Sequence, residues 1–505
     1  MESQVDTVGL LEEEHHTLSN EDEDEAVELQ PIVDEESTHK GVVKDSPKSE
    51  FPWRVLISVY LTTASDAMIL TIVTPFSPQM CRDVFKIREE NIGAAAGLIS
   101  GSYSLATFIS SFFLGHLSDL FGRKNLMLVG CAASSITTFL FSLSPALYVA
   151  LLLRFFGGLL NANNTIAKAV VSDITQGKAR VVAFGYLGAS FSLARAISSA
   201  VSAVTTGIII PLPILNSNDY VFPCFIAFLI GCFSFSCIVM FVPETVKKAP
   251  AKEEFESQHK QSKVKHIKDT LLAGMREIYN DQLLIKLILL FCITSYCNGG
   301  LLVAIPVFLS SSSEIHGMEF NPMQVGIAFS WFGFCAVVYQ VFFFEKTVAR
   351  INLLGAYSLG TILLATSIFL YPFCNIFYWI GGKTAFTTAL TWTWIALCSV
   401  GNAVGFMVAL PVVNTMLSSA SNPQRQGLVL GTANSLGSFV RSLGPIISGA
   451  IFTLSTLWKF PYLLFMLLSV LYIACLLISK RLTEEERRVI VKMSSGDTER
   501  KGLLR

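Results

Sequence analysis

The sequence predicts an all-α membrane protein with twelve transmembrane helices arranged as two six-helix bundles. Apolar residues make up 52% of the chain and charged residues only 15%, whereas about 25% of the residues of an ordinary soluble protein are charged. Long runs without charge recur along the chain, and about 20 apolar residues are enough to cross a bilayer. One charged stretch, residues 243–281, divides these runs six and six.

The predicted spans lie on both sides of this charged stretch. It contains eight Lys or Arg and seven Asp or Glu residues, so we interpret residues 244–281 as a cytosolic linker. The first bundle is assigned to residues 51–243, with spans at 53–75, 92–117, 125–143, 146–171, 181–210 and 221–242. The second bundle is assigned to residues 282–479, with spans at 284–310, 324–344, 353–373, 385–417, 428–453 and 460–479.

Both termini are predicted to be cytosolic tails. Residues 1–50 contain 16 Asp or Glu and 3 Lys residues, a net charge of −13, and no aromatic residue, which is typical of a disordered segment. Since the whole chain has a net charge of −1, the remainder carries +12. Its basic residues gather in short loops on the side of the termini, and such loops face the cytosol. Residues 480–505 form the second tail.

Each tail contains an acidic residue followed by a leucine pair. The pattern resembles a sorting signal, [DE]-x-x-x-L-[LI], that cytosolic adaptors recognise. It predicts a lysosomal or vacuolar membrane, with the plasma membrane as the alternative, and sorting adaptors as partners. The residues are Asp6, Leu10, Leu11, Glu499, Leu503 and Leu504.

Two charged residues inside the spans are candidates for coupling. Asp66 lies in the first span, where a charge is costly and faces a cavity or a partner. A buried carboxyl group favours its neutral form, so it can take up a proton on one side of a membrane and release it on the other. The other interpretation is a structural partner for a buried arginine, and Arg154 in the fourth span is one candidate. We assign both residues to proton or substrate coupling.

Further polar residues in the spans are predicted to line a cavity. The two halves repeat weakly, since Gly93 matches Gly326 at an offset of 233 and Arg195 matches Arg441 at an offset of 246. Parallel halves place the substrate site between them, near the middle of the membrane. Pro445, after Gly444, is predicted to kink the eleventh span. The cavity candidates are Asn161, Asn164, Lys168, Arg195 and Arg441.

Residues 115–124, with the sequence Gly-His-Leu-Ser-Asp-Leu-Phe-Gly-Arg-Lys, stand between two long apolar runs. Such a polar turn cannot lie in hydrocarbon, so it is predicted to be a tight, water-facing loop. It resembles the signature loop of the major facilitator superfamily, G-x-L-[SA]-D-x-x-G-R-[KR], although Leu120 stands where that family often has Lys or Arg. The resemblance implies the major facilitator fold and a cytosolic gate formed by this loop. The residues assigned to the gate are Gly115, Asp119, Gly122, Arg123 and Lys124.

Two further segments resemble the zinc-induced-facilitator-like and fungal relatives in the drug:proton antiporter group. Residues 154–173 are similar to their fourth span, and residues 430–445 are similar to their eleventh. The resemblance implies export of organic compounds or metal chelates against a proton gradient by alternating access, with Arg154 assisting coupling. In the fifth span Ser198 and Ser199 replace the Gly-Pro pair of the antiporter signature, which argues against obligatory antiport.

The function predicted from these features is secondary active transport, with proton-coupled antiport of a small organic solute. An uncoupled facilitative carrier and a non-transporting membrane sensor or adaptor are the alternatives. Catalysis is not expected, because no nucleophile–base pair or metal-type spacing occurs in the sequence. We predict no cofactor, no metal and no nucleic-acid partner. The expected partners are a small-molecule substrate, protons and the lipid bilayer.

Overall fold

The computed structural model describes residues 53–175, 177–208, 218–244, 279, 281–421 and 426–482. Its description of side chains leaves out residues 112, 115, 116, 119, 120, 177–182 and 426–428. The acidic tail, most of the linker, most of the second tail and both leucine-pair motifs lie outside the described residues.

The described residues are almost entirely helical, and the helices follow the order of the predicted spans. In the first half they are α1 (Trp53–Thr71), α2 (Ser77–Asp83), α3 (Ile92–Phe121), α4 (Arg123–Ser142), α5 (Leu147–Leu159), α6 (Asn163–Ile174), α7 (Gly177–Thr205) and α8 (Val221–Phe241). In the second half they are α9 (Gln282–Ser310), α10 (Pro322–Phe342), α11 (Phe344–Leu370), α12 (Ile376–Gly381), α13 (Ala385–Ala420), α14 (Gln426–Leu457) and α15 (Leu463–Lys480).

Ten helical segments of the described chain are long and apolar enough to cross a membrane. They coincide with ten of the twelve predicted spans, with small shifts at the ends. The fourth span differs because it is interrupted, and the first corresponds to α1, whose 19 residues include the charged Arg54 and Asp66. In the first, α1 ends at Thr71 and α2 begins at Ser77. Pro75 lies in the turn between them, and a proline has no amide hydrogen with which to continue a helix.

The fourth span is not the single helix predicted for residues 146–171. It divides into α5, which ends at Leu159, and α6, which begins at Asn163. The side-chain oxygen of Asn161 accepts a hydrogen bond from the Asn163 amide at 2.9 Å. Such a local bond competes with helical hydrogen bonding, and the preceding Gly157-Gly158 pair also weakens the helix. Two half-helices therefore end in the membrane interior, where α6 contacts α1.

Glycines allow the same close helix crossing in both halves. A Cβ added to Gly93 in α3 would lie 2.9 Å from the Gly449 oxygen of α14. A Cβ added to Gly326 in α10 would lie 2.9 Å from the Ser199 oxygen of α7. These distances exclude a side chain, so glycine is what permits the backbones to approach. The second span thus packs on the eleventh as the eighth packs on the fifth.

The two halves are joined at one membrane face. We call the face where Trp53 and Lys480 lie the terminal face, and the opposite one the distal face. At the distal face Gln79 of α2 donates to Ser310 Oγ of α9 at 2.6 Å. Arg82 donates to the Ser310 carbonyl at 2.9 Å. These bonds connect the end of the first span to the end of the seventh and close the distal face there.

Open space lies between helices nearer the terminal face. A Cβ added to Gly185 or Gly188 in α7, or to Gly431 in α14, would meet no atom within 4 Å. Lys168 of α6 and Arg441 of α14 have exposed side chains, although both lie in spans. Charged side chains in a span face water or a partner rather than lipid. We infer that the two halves enclose a water-accessible cavity that opens toward the terminal face.

An ion pair holds the distal loops of the second half. Lys383 donates to Glu319 at 2.7 Å, and Ser313 donates to the same carboxylate at 2.6 Å. These donors lower the pKa of Glu319 from 4.5 to about 2. Because the pKa of Glu319 is lowered in the folded state, the ion pair contributes fully to folding stability above the ordinary pKa of 4.5. This contribution is lost as the pH falls toward 2. The pair therefore persists at mildly acidic pH, although its partial exposure keeps its contribution to stability small.

Candidate coupling and solute-binding site

Asp66 is buried in α1 beside the interruption of the fourth span. Its side chain is 7% exposed. The Asn161 amide donates to Asp66 Oδ1 at 3.1 Å, while Oδ2 has no hydrogen-bond partner in the described part of the chain. A buried carboxylate oxygen without a partner is costly, whereas a protonated carboxyl group loses less on burial. The surroundings of Asp66 therefore favour its neutral form.

Asn163 has two amide orientations next to Asp66. In one, its nitrogen lies 3.4 Å from Asp66 Oδ1. Turned by 180°, its nitrogen donates to the Met127 carbonyl at 3.2 Å and its oxygen accepts from the Cys131 amide at 3.1 Å. We assign the turned orientation because it satisfies both amide atoms. Its oxygen then faces Asp66, a contact that a protonated carboxyl group satisfies by donating and a carboxylate does not.

Arg154 joins this group through an aromatic ring rather than an ion pair. Its guanidinium lies 4.7 Å from the Tyr103 ring centroid and 5.6 Å from that of Phe141, distances that suit cation–π contacts. The Asn161 amide, which donates to Asp66, also donates to the Tyr103 hydroxyl at 2.9 Å. The two residues predicted to couple are thus connected by Asn161 and Tyr103. Arg154 is 2% exposed.

A cavity of about 450 Å³, measured with its mouth, lies between the halves. Arg195 of α7 is the lining residue from the first half. The second half contributes Asn298, Asn402 and apolar side chains that include Phe329. The cavity therefore combines one cation and two amides with a mainly apolar wall, a combination that suits a small organic molecule. The full lining is Arg195, Asn298, Leu301, Leu302, Ile305, Ala328, Phe329, Phe332, Tyr371, Ser399 and Asn402.

The other predicted cavity residues divide between two environments. Asn161 is buried and belongs to the Asp66 group. Asn164 and Lys168 are exposed on α6, and Arg441 is exposed on α14. The charge of Arg441 acts on both Lys168 and Arg195. Arg441 therefore lies close enough to each of the other two cations to repel it.

The predicted gating loop is shorter than expected, because α3 continues to Phe121 and α4 begins at Arg123, so only Gly122 lies between the helices. Gly122 has a φ of +97°, which favours glycine, and a Cβ there would strike the Glu244 carboxylate. The Arg123 amide donates to Glu244 at 2.9 Å, and its guanidinium pairs with Asp173 at the end of α6. The loop is thus bound to α6 and to the end of α8, all in the first half.

The remaining gate residues have different contacts. Lys124 donates to a carbonyl of α8 at 2.8 Å. Gly115 and Asp119 lie on α3, but their side chains are outside those described. In the second half Asn352 has a φ of +57°, and its side chain accepts from the Gly355 amide at 2.9 Å. Asn352 starts the ninth span as Gly122 starts the third.

The Gly444-Pro445 pair lies at a helix contact. α14 continues through Pro445 as one helix, and a Cβ added to Gly444 would lie 2.7 Å from the Tyr296 oxygen of α9. The pair therefore lets α14 pack closely on α9. The kink predicted at Pro445 stays a prediction.

Comparison with known families identifies the fold. Residues 59–390 match the family described as Major Facilitator Superfamily, and this segment is more than half of the chain. The chain belongs to the Major Facilitator Superfamily. The recognition made from the signature loop is confirmed, and so is the helical membrane fold.

Relatives within the superfamily cover most of the chain. Tetracycline resistance protein class B of Escherichia coli is 25% identical over 390 residues, 77% of this chain and 86% of that protein. Zinc Induced Facilitator-Like 1 of Arabidopsis thaliana is 23% identical over 421 residues, 80% of this chain and 85% of that protein. The crystal structure of the human organic anion transporter MFSD10 (TETRAN) has a TM-score of 0.55 and 20% identity, over 85% of this chain and 99% of that one. That similarity concerns the fold alone.

Some residues of this superfamily member's site were missed in the sequence. Tyr103 stands in an apolar span without any charge pattern, so only the fold brings it to Arg154. Asn163 lies between the two predicted residues Asn161 and Asn164, and only its place beside Asp66 in the fold distinguishes it. Asn298 and Asn402 carried a usable signal, because an amide within a long apolar run costs free energy unless it has a polar partner or faces a cavity.

Proposed function

We propose that this superfamily member is a secondary transporter that exchanges a small organic solute for protons by alternating access. The observation that carries the proposal is the environment of Asp66. A buried carboxyl group with one unpartnered oxygen, among the described residues, lies at the interruption of the fourth span. Such a group can be neutral in one state of the protein and ionised in another.

Protonation of Asp66 would act through Asn163. When Asp66 is neutral it donates to the Asn163 oxygen, and the amide keeps both bonds to α4. When Asp66 is ionised the Asn163 nitrogen must turn toward it, and both bonds to α4 are lost. The protonation state is thereby linked to the packing of α6 on α4, a two-state element that both proton and solute can bias.

The transport cycle follows from the contacts between the halves. The structure is closed at the distal face by Gln79 and Arg82 on Ser310. In the proposed cycle these bonds break, the halves rock, and the cavity opens to the distal side. Asp66 takes up a proton there and releases it after the return. Solute leaves in the opposite direction.

The relatives support this class of function. One is named a tetracycline resistance protein and another a zinc-induced-facilitator-like protein. A structural neighbour is named an organic anion transporter. The names of the tetracycline resistance protein and of the organic anion transporter favour an organic solute.

A flux measurement on the purified full-length protein tests the proposal. Liposomes with and without the protein are loaded with an extract of small metabolites and placed under a pH gradient, and released solutes are identified by mass spectrometry. We expect one solute class to leave faster with the gradient, and a protonophore to remove the difference. Solute release by the protein at a rate that the protonophore does not change would favour the facilitative carrier. A solute that binds but is not released would favour the sensor.

We further propose that both termini are cytosolic and that the leucine pairs direct the protein to a lysosomal or vacuolar membrane. Replacing Leu10, Leu11, Leu503 and Leu504 with alanine should move a fluorescently tagged protein to the plasma membrane, because adaptors read both leucines of each signal. Replacing the neighbouring Val8 and Gly502 with alanine is the matched control. Unchanged endolysosomal location of the leucine variant would reject the sorting role.

A further inference from the structure

Three cations from three helices converge beside the cavity. Lys168 comes from α6, Arg195 from α7 and Arg441 from α14. Arg441 repels both of the others, and Arg195 itself lines the cavity. The first and second halves therefore both contribute positive charge to the same region.

The described residues provide no carboxylate for these cations. Arg82, Arg123 and Lys383 form ion pairs with carboxylates elsewhere in the described part of the chain. Asp66 bonds to Asn161 rather than to any of the three. Cations inside a span are costly unless they are paired or face a water-filled cavity. The water-accessible cavity therefore leaves these cations available to an anionic ligand.

The residues that line the cavity indicate the chemistry of the remaining part of such an anionic ligand. Asn298 and Asn402 offer amide groups beside Arg195, while Phe329 and Phe332 offer aromatic surface. A planar guanidinium binds carboxylate and sulfonate-type groups through two parallel hydrogen bonds. Apolar walls favour a ligand whose remaining atoms are hydrocarbon or aromatic.

We propose that Arg195, assisted by Arg441 and Lys168, binds the acidic group of an amphipathic organic anion whose apolar body lies against Phe329 and Phe332. The inference deepens the proposed function, because it names the substrate class of the same cavity. Since Arg195 lies in the first half and the aromatic side chains in the second, such a ligand contacts both halves. It can therefore influence how they rock.

Binding to matched aromatic probes tests this assignment. The full-length protein in phosphatidylcholine nanodiscs is titrated with p-toluenesulfonate, neutral p-toluenesulfonamide and benzyltrimethylammonium. We expect the sulfonate to bind at least about tenfold more tightly than the other two, since a hydrogen bond to a charged group adds roughly that much. The preference should weaken as salt is raised, because salt screens the cations. Equal binding of the three probes by the wild-type protein overturns the proposal.

Variants separate recognition from folding. Arg195→Gln and Arg441→Gln should lose the preference for the sulfonate, and Arg195→Lys should keep most of it because the charge remains. Arg88→Gln removes an exposed cation in the distal loop and should bind like the wild type. Melting temperatures of all variants are compared, and Arg441→Gln, at an exposed side chain, keeps the test decisive if Arg195→Gln does not fold. Undiminished preference in a folded Arg195→Gln variant overturns the proposal.

A lipid headgroup has the same chemistry as an organic anion, so the lipid is varied as well. If sulfonate binding survives replacement of phosphatidylcholine by phosphatidylglycerol, the site takes a soluble anion. If phosphatidylglycerol abolishes it competitively, the cations hold lipid and the proposal fails. Asp66→Asn should keep the anion preference, which distinguishes the two proposals. If the wild-type protein prefers the anion but shows no proton coupling, the proposed coupling has failed. If it shows proton coupling but no preference for the anion, the ligand assignment has failed.

Discussion

Replacing Asp66 with asparagine should reduce proton-driven solute transport to the rate of empty liposomes. Asparagine has the shape of a protonated aspartate but cannot release a proton. Its amide can donate to the Asn163 oxygen that faces Asp66 at 3.4 Å, so the variant should hold the arrangement of the protonated state. The measurement is release of the solute found in the extract assay, with and without a pH gradient.

The same variant should still fold and still exchange solute. Its melting temperature should equal or exceed that of the wild type, because a buried charge is removed without a change of volume. Exchange of labelled for unlabelled solute without a gradient should persist. Asp219→Asn, at an exposed distal position, is the matched control and should transport normally. Proton-driven transport at the wild-type rate in Asp66→Asn would remove Asp66 from the coupling mechanism.

The sequence was sufficient for most of the helices, because a bilayer imposes one strong constraint. Backbone groups in hydrocarbon must be satisfied within the segment, so long apolar runs become helices. The first span was predicted to end at Pro75, which lacks an amide hydrogen, and α1 ends nearby at Thr71. The interruption of the fourth span was harder to predict. The break at Asn161 depends on a side-chain bond to the Asn163 amide, which the same residues could equally have made to a neighbouring helix.

The site was predictable in its charges but not in its connections. Asp66 and Arg154 were recognisable because charges in spans are costly. Their link through Tyr103 and Asn161 was not, since it depends on how α1, α3 and α5 pack. The direct pairing considered for Arg154 is replaced by cation–π contacts. The sequence therefore indicated the charged residues, but it did not indicate the residues that connect them, because those contacts depend on how the helices pack.

Repeat matching shows a similar limit. The glycines at an offset of 233, Gly93 and Gly326, make equivalent helix contacts. At the loop, however, the positive-φ residues are Gly122 and Asn352, which are 230 apart. The helices that precede them begin at Ile92 and Pro322, also 230 apart. The packing glycines are required by close helix contacts, whereas the turn residues are required by a positive φ. A single sequence offset therefore does not align both sets of residues.

Replacing Gly97 with alanine should open the distal face. A Cβ at Gly97 of α3 would lie 2.5 Å from the Pro445 oxygen and 3.0 Å from the Gly449 Cα of α14. Both contacts are with backbone, which cannot turn aside as a flexible side chain can. Overpacking of this kind costs about 1–3 kcal/mol, which corresponds to roughly a 5- to 150-fold shift between two states. The distal-closed state should lose population, and transport should slow because the cycle needs that state.

Hydrogen–deuterium exchange measures the shift directly. In Gly97→Ala, peptides covering residues 89–97 and 449–457 should exchange faster than in the wild type, since both segments pack together at the distal face. Gly188→Ala is the matched control, because it is also a helical glycine but an added Cβ there meets nothing within 4 Å. Alanine in such an open helical position should be neutral or stabilise the protein by about 0.5–1 kcal/mol. Equal exchange in the two variants would mean that the α3–α14 contact does not control closure, and closure would then depend on other contacts such as those of Gln79 and Arg82 with Ser310.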